Sequence, residues 1–182
     1  RLDDAIGNLT LGAGPATFPR VGFLPAGAVF RQRANLGRIE AWGLEADAAW
    51  ALTPALDLRA AFAVTEAEIT DAPGAPQLLG LRPAQAPHGA ATLGLHWRAS
   101  PALALMADAR WESARWEDDL NTRRLGAGLS MDARAALRLN GRTSLELSAE
   151  NLLNAAIEIG ETADGVESYA PPRRLMLGLV LR

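Results

Sequence analysis

Cysteine and lysine are both absent from this 182-residue chain. Without cysteine there is no disulfide framework and no thiolate metal site. All 18 basic residues are arginine; against 21 acidic residues they leave a net charge of −3, which excludes a nucleic-acid surface. No run of about 18 apolar residues occurs, so no transmembrane helix is expected. No signal peptide is visible, and the chain opens at Arg1 inside an alternating segment, as expected for a piece of something longer. Histidine is scarce too. His88 and His96 have no second histidine at ligand spacing, and both read as wall residues.

Alanine, leucine, arginine and glutamate are plentiful, and all favour helices. Periodicity says otherwise. In Leu103 to Glu112, Leu103, Leu105, Ala107, Ala109 and Trp111 share one parity, and Asp108, Arg110 and Glu112 the other. Wound at ~100° per residue, Leu103, Leu105, Met106 and Trp111 form no stripe. Leu129 to Leu153 carries the clearest pattern. Leu129, Met131, Ala133, Ala135, Leu137 and Leu139 alternate with Ser130, Asp132, Arg134 and Arg138. After Asn140-Gly141, Leu145, Leu147 and Ala149 alternate with Glu146, Ser148 and Glu150. Period two around a turn signal predicts a β-hairpin. A two-residue Asn-Gly loop would set Leu137 beside Ser144, so parity predicts an odd loop. The loop Leu139-Asn140-Gly141, with Gly141 left-handed, sets Arg138 against Arg142, Ala135 against Leu145, Ala133 against Leu147 and Arg134 against Glu146. Pairing Leu137 with Leu145 instead would oppose Asp132 to Glu150, which disfavours it.

The same alternation recurs through about eight strands. Trp42 to Leu52 turns at Thr53-Pro54-Ala55 into Leu56 to Val64; Ala91 to Trp97 turns at Ala99-Ser100-Pro101 into Leu103 to Trp111. Long polar or Pro/Gly-rich connections cover 70–87, 113–124 and 154–170, and the last strand carries Leu175, Leu177, Leu179 and Leu181 on one face. Tight turns alternate with long loops, so the short connections share one end. A soluble sandwich would bury the apolar face. A transmembrane barrel turns it to lipid and lines its lumen with the polar face. Trp50, Trp97 and Trp111 at strand ends suit interfacial girdles, and strands of roughly ten residues suit a tilted crossing. The predicted fold is therefore all-β, an antiparallel up-and-down transmembrane β-barrel segment. The inward charges, among them Asp57, Arg59, Asp108, Arg110, Asp132, Arg134 and Glu146, fit a hydrated lumen.

Five stretches, in order, resemble the C-terminal barrel segment of TonB-dependent receptors of the Gram-negative outer membrane. Asn35 with Trp42-Gly43-Leu44-Glu45 resembles the family's "N…GxE" strand. Leu79-Gly80-Leu81-Arg82-Pro83 with Pro87-His88 resembles its "GxRxP…PxH" segment. Glu117-Asp118-Asp119-Leu120-Asn121 resembles "EDDxN", and Glu150-Asn151-Leu152-Leu153-Asn154 resembles the "NLF/LD/N" strand end. Pro172-Arg173-Arg174 and the alternating tail resemble the closing strand. The resemblance implies that residues 1–182 are about eight strands of a barrel of about 22. The plug domain, the energy-coupling box and the N-terminal barrel strands would be absent from this stretch. The close at Leu181-Arg182 departs from the terminal aromatic residue usual in the family.

The resemblance further implies a receptor in the outer membrane that captures a scarce ligand and imports it with TonB energy. Ligand classes so implied are ferric siderophores, haem, cobalamin and carbohydrates. Implied partners are outer-membrane lipid, a small molecule such as a metal chelate, and the TonB complex through the N-terminal part. No catalytic constellation is present, so no enzyme and no cofactor are expected; an outer-membrane barrel enzyme would need a Ser/His pair on one lumenal face. The other reading is a small closed eight-stranded barrel with a structural or adhesion role. A plug and more alternating strands upstream would support the receptor; a signal peptide just before Arg1 would support the small barrel. The binding residues cannot be read from the chain. Glu117, Asp118 and Asp119 are candidates for a ligand or a cation such as Ca²⁺ in an outer loop, against the plainer reading of a solvated acidic turn.

Overall fold

The computed structural model describes residues 1–181; Arg182 lies outside the described residues. In chain order the strands are β1 (Leu2–Ala13), β2 (Ala16–Phe18), β3 (Gly22–Leu24), β4 (Val29–Thr53), β5 (Leu56–Asp71), β6 (Gly89–Arg98), β7 (Leu103–Glu112), β8 (Arg115–Trp116), β9 (Arg124–Leu125), β10 (Gly128–Arg138), β11 (Thr143–Glu150), β12 (Glu158–Glu161), β13 (Glu167–Tyr169) and β14 (Arg174–Leu181). Eight of them form one antiparallel sheet in the order β1-β4-β5-β6-β7-β10-β11-β14. The other six pair off as small outer hairpins, β2-β3, β8-β9 and β12-β13. Connections run up and down. The sheet is open: β1 and β14 stand at opposite edges.

Alternation produces two faces of opposite character, and register carries each across the sheet. Like meets like from strand to strand. Leu44 lies opposite Val64, Leu58 opposite Leu95, Trp97 opposite Leu105, Leu137 opposite Leu145, and Leu147 opposite Leu177. This face is uncovered: Leu44 is 64% exposed, Leu147 51% and Leu177 71%. A sandwich would lay a second sheet over it; among the described residues no such layer exists. The opposite face is concave and lines a hollow with Asp47, Arg59, Thr92, Asp108, Arg110 and Asp132. From Trp42 to Trp50 the apolar stripe of β4 rises about 26 Å before tilt, close to the height of a barrel's apolar band.

Two turns at the short end are fastened alike. The Arg98 N–H donates to the Ala55 carbonyl (2.8 Å), and its guanidinium to the Pro54 carbonyl (2.6 Å). The Arg138 N–H donates to the Ala102 carbonyl (2.7 Å), and its guanidinium to the Pro101 carbonyl. A strand-ending arginine thus grips each preceding Pro-Ala turn.

The expected β10–β11 register is corrected. Leu137 pairs with Leu145, Ala135 with Leu147 and Arg138 with Ser144, so the last ladder pair encloses five residues rather than three, and within them the Leu139 N–H donates to the Thr143 carbonyl (2.9 Å). Parity holds and length does not. Gly141 is not left-handed. The Asn140 side-chain oxygen instead accepts from the Arg142 and Thr143 N–H groups (2.9 and 3.0 Å) and shapes the loop. The anticipated Asp132–Glu150 repulsion is avoided because each carboxylate has another partner. Asp132 accepts from the Asn151 N–H (2.9 Å), and Glu150 from the Arg174 guanidinium (2.9 Å). Arg134 still pairs with Glu146, but on the diagonal, since Ser148 lies directly opposite.

Above the apolar band the polarity of the concave side inverts. The register slips at Leu36 of β4 against β1 and at Thr70 of β5 against β4, beside the left-handed Gly37 (φ +99°), and this bulge puts Leu36 on the face carrying Ile39. Leu36 joins Ala5, Leu9 and Ile69 there, and Ala72, Ala75 and Leu78 from the next connection cover them. This is the main buried core among the described residues, and it lies outside the lipid band.

Candidate functional site

All four long connections, 14–28, 72–88, 113–127 and 151–173, lie at the end opposite the tight turns. The connection 72–88 folds inward as a short 3-10 turn, Pro76–Leu78, with Leu78 fully buried. Its return runs alongside β5: the Gly80 N–H donates to the Ile69 carbonyl, and the Ile69 N–H to the Leu81 carbonyl (both 2.9 Å). At its base Glu66 accepts from the Arg82 guanidinium and lies 2.8 Å from His88 Nδ1.

The acidic stretch Glu117 to Asn121 sits in the 113–127 connection. Asp118 is 3% exposed and closes its own loop. Its carboxylate accepts from the Thr122 N–H (2.9 Å), the Thr122 hydroxyl (2.7 Å) and the Arg123 N–H (2.8 Å). Burial pushes this carboxyl up, but the Arg123 and Thr122 donors outweigh burial and hold it below the ordinary aspartate value. Asp119 reaches β1, accepting from the Thr10 N–H and hydroxyl (2.6 Å each). Glu117 accepts from the Gln85 side chain. Asn121 takes a left-handed conformation (φ +55°), which asparagine tolerates better than most residues. Its amide pairs with the Arg82 backbone in both directions, accepting from N–H and donating to the carbonyl (2.9 Å each). The three acidic candidates therefore do not converge on one point. Among the described residues no group of three His, Cys, Asp or Glu side chains could hold a metal ion.

The 151–173 connection is stitched in the same manner. Asn151 is buried at the end of β11. Its amide exchanges 2.9 Å bonds with the Ala155 backbone and donates to the Pro171 carbonyl (3.2 Å). Asn154 accepts from the Arg173 N–H (3.0 Å). In the hairpin β12–β13, Asp164 accepts from the Thr162 hydroxyl (2.5 Å), which lowers its pKa.

The family model for the TonB-dependent receptor-like β-barrel matches residues 1–152. The chain belongs to the TonB-dependent receptor β-barrel family. Solved receptors share its fold. The siderophore receptor PiuA from Acinetobacter baumannii superposes with a TM-score of 0.70 at 22% identity, over 82% of this chain and 22% of its own. The ferric yersiniabactin uptake receptor FyuA from Yersinia pestis gives 0.72 at 16%, over 82% and 24%. A mutant of the ferric enterobactin receptor PfeA from Pseudomonas aeruginosa gives 0.63 at 16%, over 98% and 27%. This chain spans about a quarter of the length of these receptors. No curated protein matches it.

The stretches that resemble the TonB-dependent receptors have architectural duties in this chain. Asn35 accepts from the Gly37 N–H (2.7 Å) and donates to Asp4 (2.9 Å), setting up the bulge. A Cβ on Gly43 would lie 2.2 Å from the Val64 carbonyl oxygen, so the strand pair leaves no room for a side chain. The residues that complete the loop contacts, Thr10, Gln77, Gln85, Arg115 and Arg123, escaped the sequence reading. They sit in short or irregular stretches where no period marks them.

Proposed function

We propose that this chain forms the last eight strands of a 22-stranded receptor barrel. The barrel would sit in the Gram-negative outer membrane, carry a plug domain and its first strands upstream, and import a scarce ligand with TonB energy. The observation that carries this reading is the two-faced sheet. One face is apolar and uncovered across its strands; the other is charged and concave; the short turns share one end and the long loops the other. The open edges support a larger barrel over a small closed one, because eight strands that closed on themselves would pair β1 with β14. The fold neighbours named as siderophore receptors favour a ferric siderophore; haem, cobalamin and carbohydrates are the other classes in reach. The outer loops contribute to capture, and the concave wall faces plug and transport path.

The test is deletion of the intact gene, followed by growth on single iron sources (defined ferric siderophores or haem) and on cobalamin. Loss of growth on one source, restored by the gene and not restored when TonB is also removed, is the expected result. Undiminished growth on every source, with the intact protein absent from outer-membrane fractions, would overturn the reading.

A further inference from the structure

We propose that the 113–127 connection is a hub that holds the 72–88 and 151–173 connections and the outer end of β1 together as one body, with Asp118 as its positioning residue. The inference rests on the transport reading only for its consequence, that ligand meets a pre-assembled surface rather than independent flaps. Its evidence is convergence. Toward the 72–88 connection the hub makes a continuous seam. The Gln85 N–H donates to the Trp116 carbonyl (2.7 Å), Arg115 donates to the Gln85 side chain (2.9 Å), and Asn121 pairs with Arg82. Toward β1, Asp119 takes both protons of Thr10, while Gln77 of the 72–88 connection donates to the Thr10 carbonyl (3.5 Å). Toward the 151–173 connection, the Gly126 N–H donates to the Glu158 carboxylate (2.6 Å), and Arg115 and Arg123 donate to the Glu158 and Glu161 carbonyls (3.3 and 3.2 Å).

Three neighbours are thus tied to one segment, and that segment's shape depends on Asp118. The Thr122 and Arg123 N–H groups that Asp118 holds lie between Asn121, which makes the seam, and the Arg123 guanidinium, which reaches Glu161. Without the carboxylate both amides lose their acceptor in a partly buried turn, and both neighbouring contacts lose their fixed geometry. The acidic run Glu117 to Asp119 then serves the loops' assembly.

The experiment is hydrogen exchange by mass spectrometry on the intact receptor in detergent micelles, without ligand. In Asp118→Ala, exchange should rise about tenfold or more at Thr122 and Arg123, at Gly80 to Arg82, and at Gly126, with Leu93 to Leu95 of the membrane band unchanged. Asp118→Asn should restore most of the protection, because its oxygen still accepts from the two N–H groups. Loosening confined to 117–123, or no loosening, would overturn the hub. So would equal loosening of the membrane band. Should Asp118→Ala fail to assemble, Asn121→Gly replaces it, because it removes the amide that pairs with the Arg82 backbone and tolerates the left-handed conformation. That change should expose Gly80 to Arg82 while Thr122 and Arg123 stay protected, and unchanged exchange at Gly80 to Arg82 would again overturn the proposal. No ligand enters the measurement, so a negative result leaves the transport reading standing, and a negative growth result leaves the hub standing.

Discussion

At the scale of single residues, Leu147 and Ser148 separate the two faces. They are chain neighbours on β11 with opposite surroundings. Leu147 lies between Ala135 and Leu177 on the uncovered apolar face; Ser148 lies between Arg134 and Met176 on the concave one. Arginine on a lipid face costs about 2–4 kcal/mol at the midplane, and far less where water reaches it. In the intact receptor, Leu147→Arg should therefore cut the membrane-assembled yield severalfold, while Ser148→Arg stays near the parent level. Quantifying folded receptor in outer-membrane fractions checks this, and equal yields would reverse or abolish the face assignment. Glutamate and aspartate on the concave side need no such protection. Arg110 pairs with Glu112 (2.5 Å), Arg98 lies 3.6 Å from Asp57, and Arg134 pairs with Glu146, each in reach of water.

At the scale of elements, the chain uses two different solvents for its apolar residues. Within the band they face lipid, and above it they face one another. Leu78 is fully buried under the 72–88 connection, against the wall carrying Leu36 and Ile69. Leu78→Ala should cost about 2–5 kcal/mol of local stability through the cavity it leaves. Leu177→Ala should cost little, since lipid chains are as apolar as leucine and fill the space. Limited proteolysis of the intact receptor reads the difference as faster cleavage within 72–88 for Leu78→Ala alone. This division also explains what the amino-acid order made legible. Period two marked the strands because one face meets a uniform solvent along its whole length. Parity fixed which residues share a face around Asn140. It could not fix the loop length, because three and five residues both satisfy it. The charge argument chose three, since it counted partners directly opposite and missed the diagonal Arg134–Glu146 pair and the Asn151 and Arg174 donors. The loop seams were invisible for a related reason. A contact such as Asp119 to Thr10 joins residues 109 positions apart and leaves no local pattern.

At the scale of the whole molecule, the open edges decide what this stretch can do. The outer edge of β14 and the β1-facing edge of β4 from Glu40 to Thr53, whose other edge pairs with β5, have no sheet partner among the described residues. Each exposes a row of backbone N–H and C=O groups. In water such groups are solvated and prone to pair with other chains. In hydrocarbon each unmet group costs several kcal/mol, so an open sheet does not persist in a bilayer. Pairing β1 with β14 would be the only internal remedy. It would bring together strands that now stand at the two ends of the sheet, and would leave the lower half of β4 unmatched on its β1-facing edge, because β1 pairs only with Val29 to Ile39. The stretch 1–182 expressed alone and refolded into detergent micelles should therefore give no compact species resistant to unfolding in cold SDS. The intact receptor should give one, seen as a faster band in unheated samples that shifts on boiling. A heat-modifiable band from the short chain would mean that eight strands close by themselves. It would favour the small barrel over the larger receptor wall.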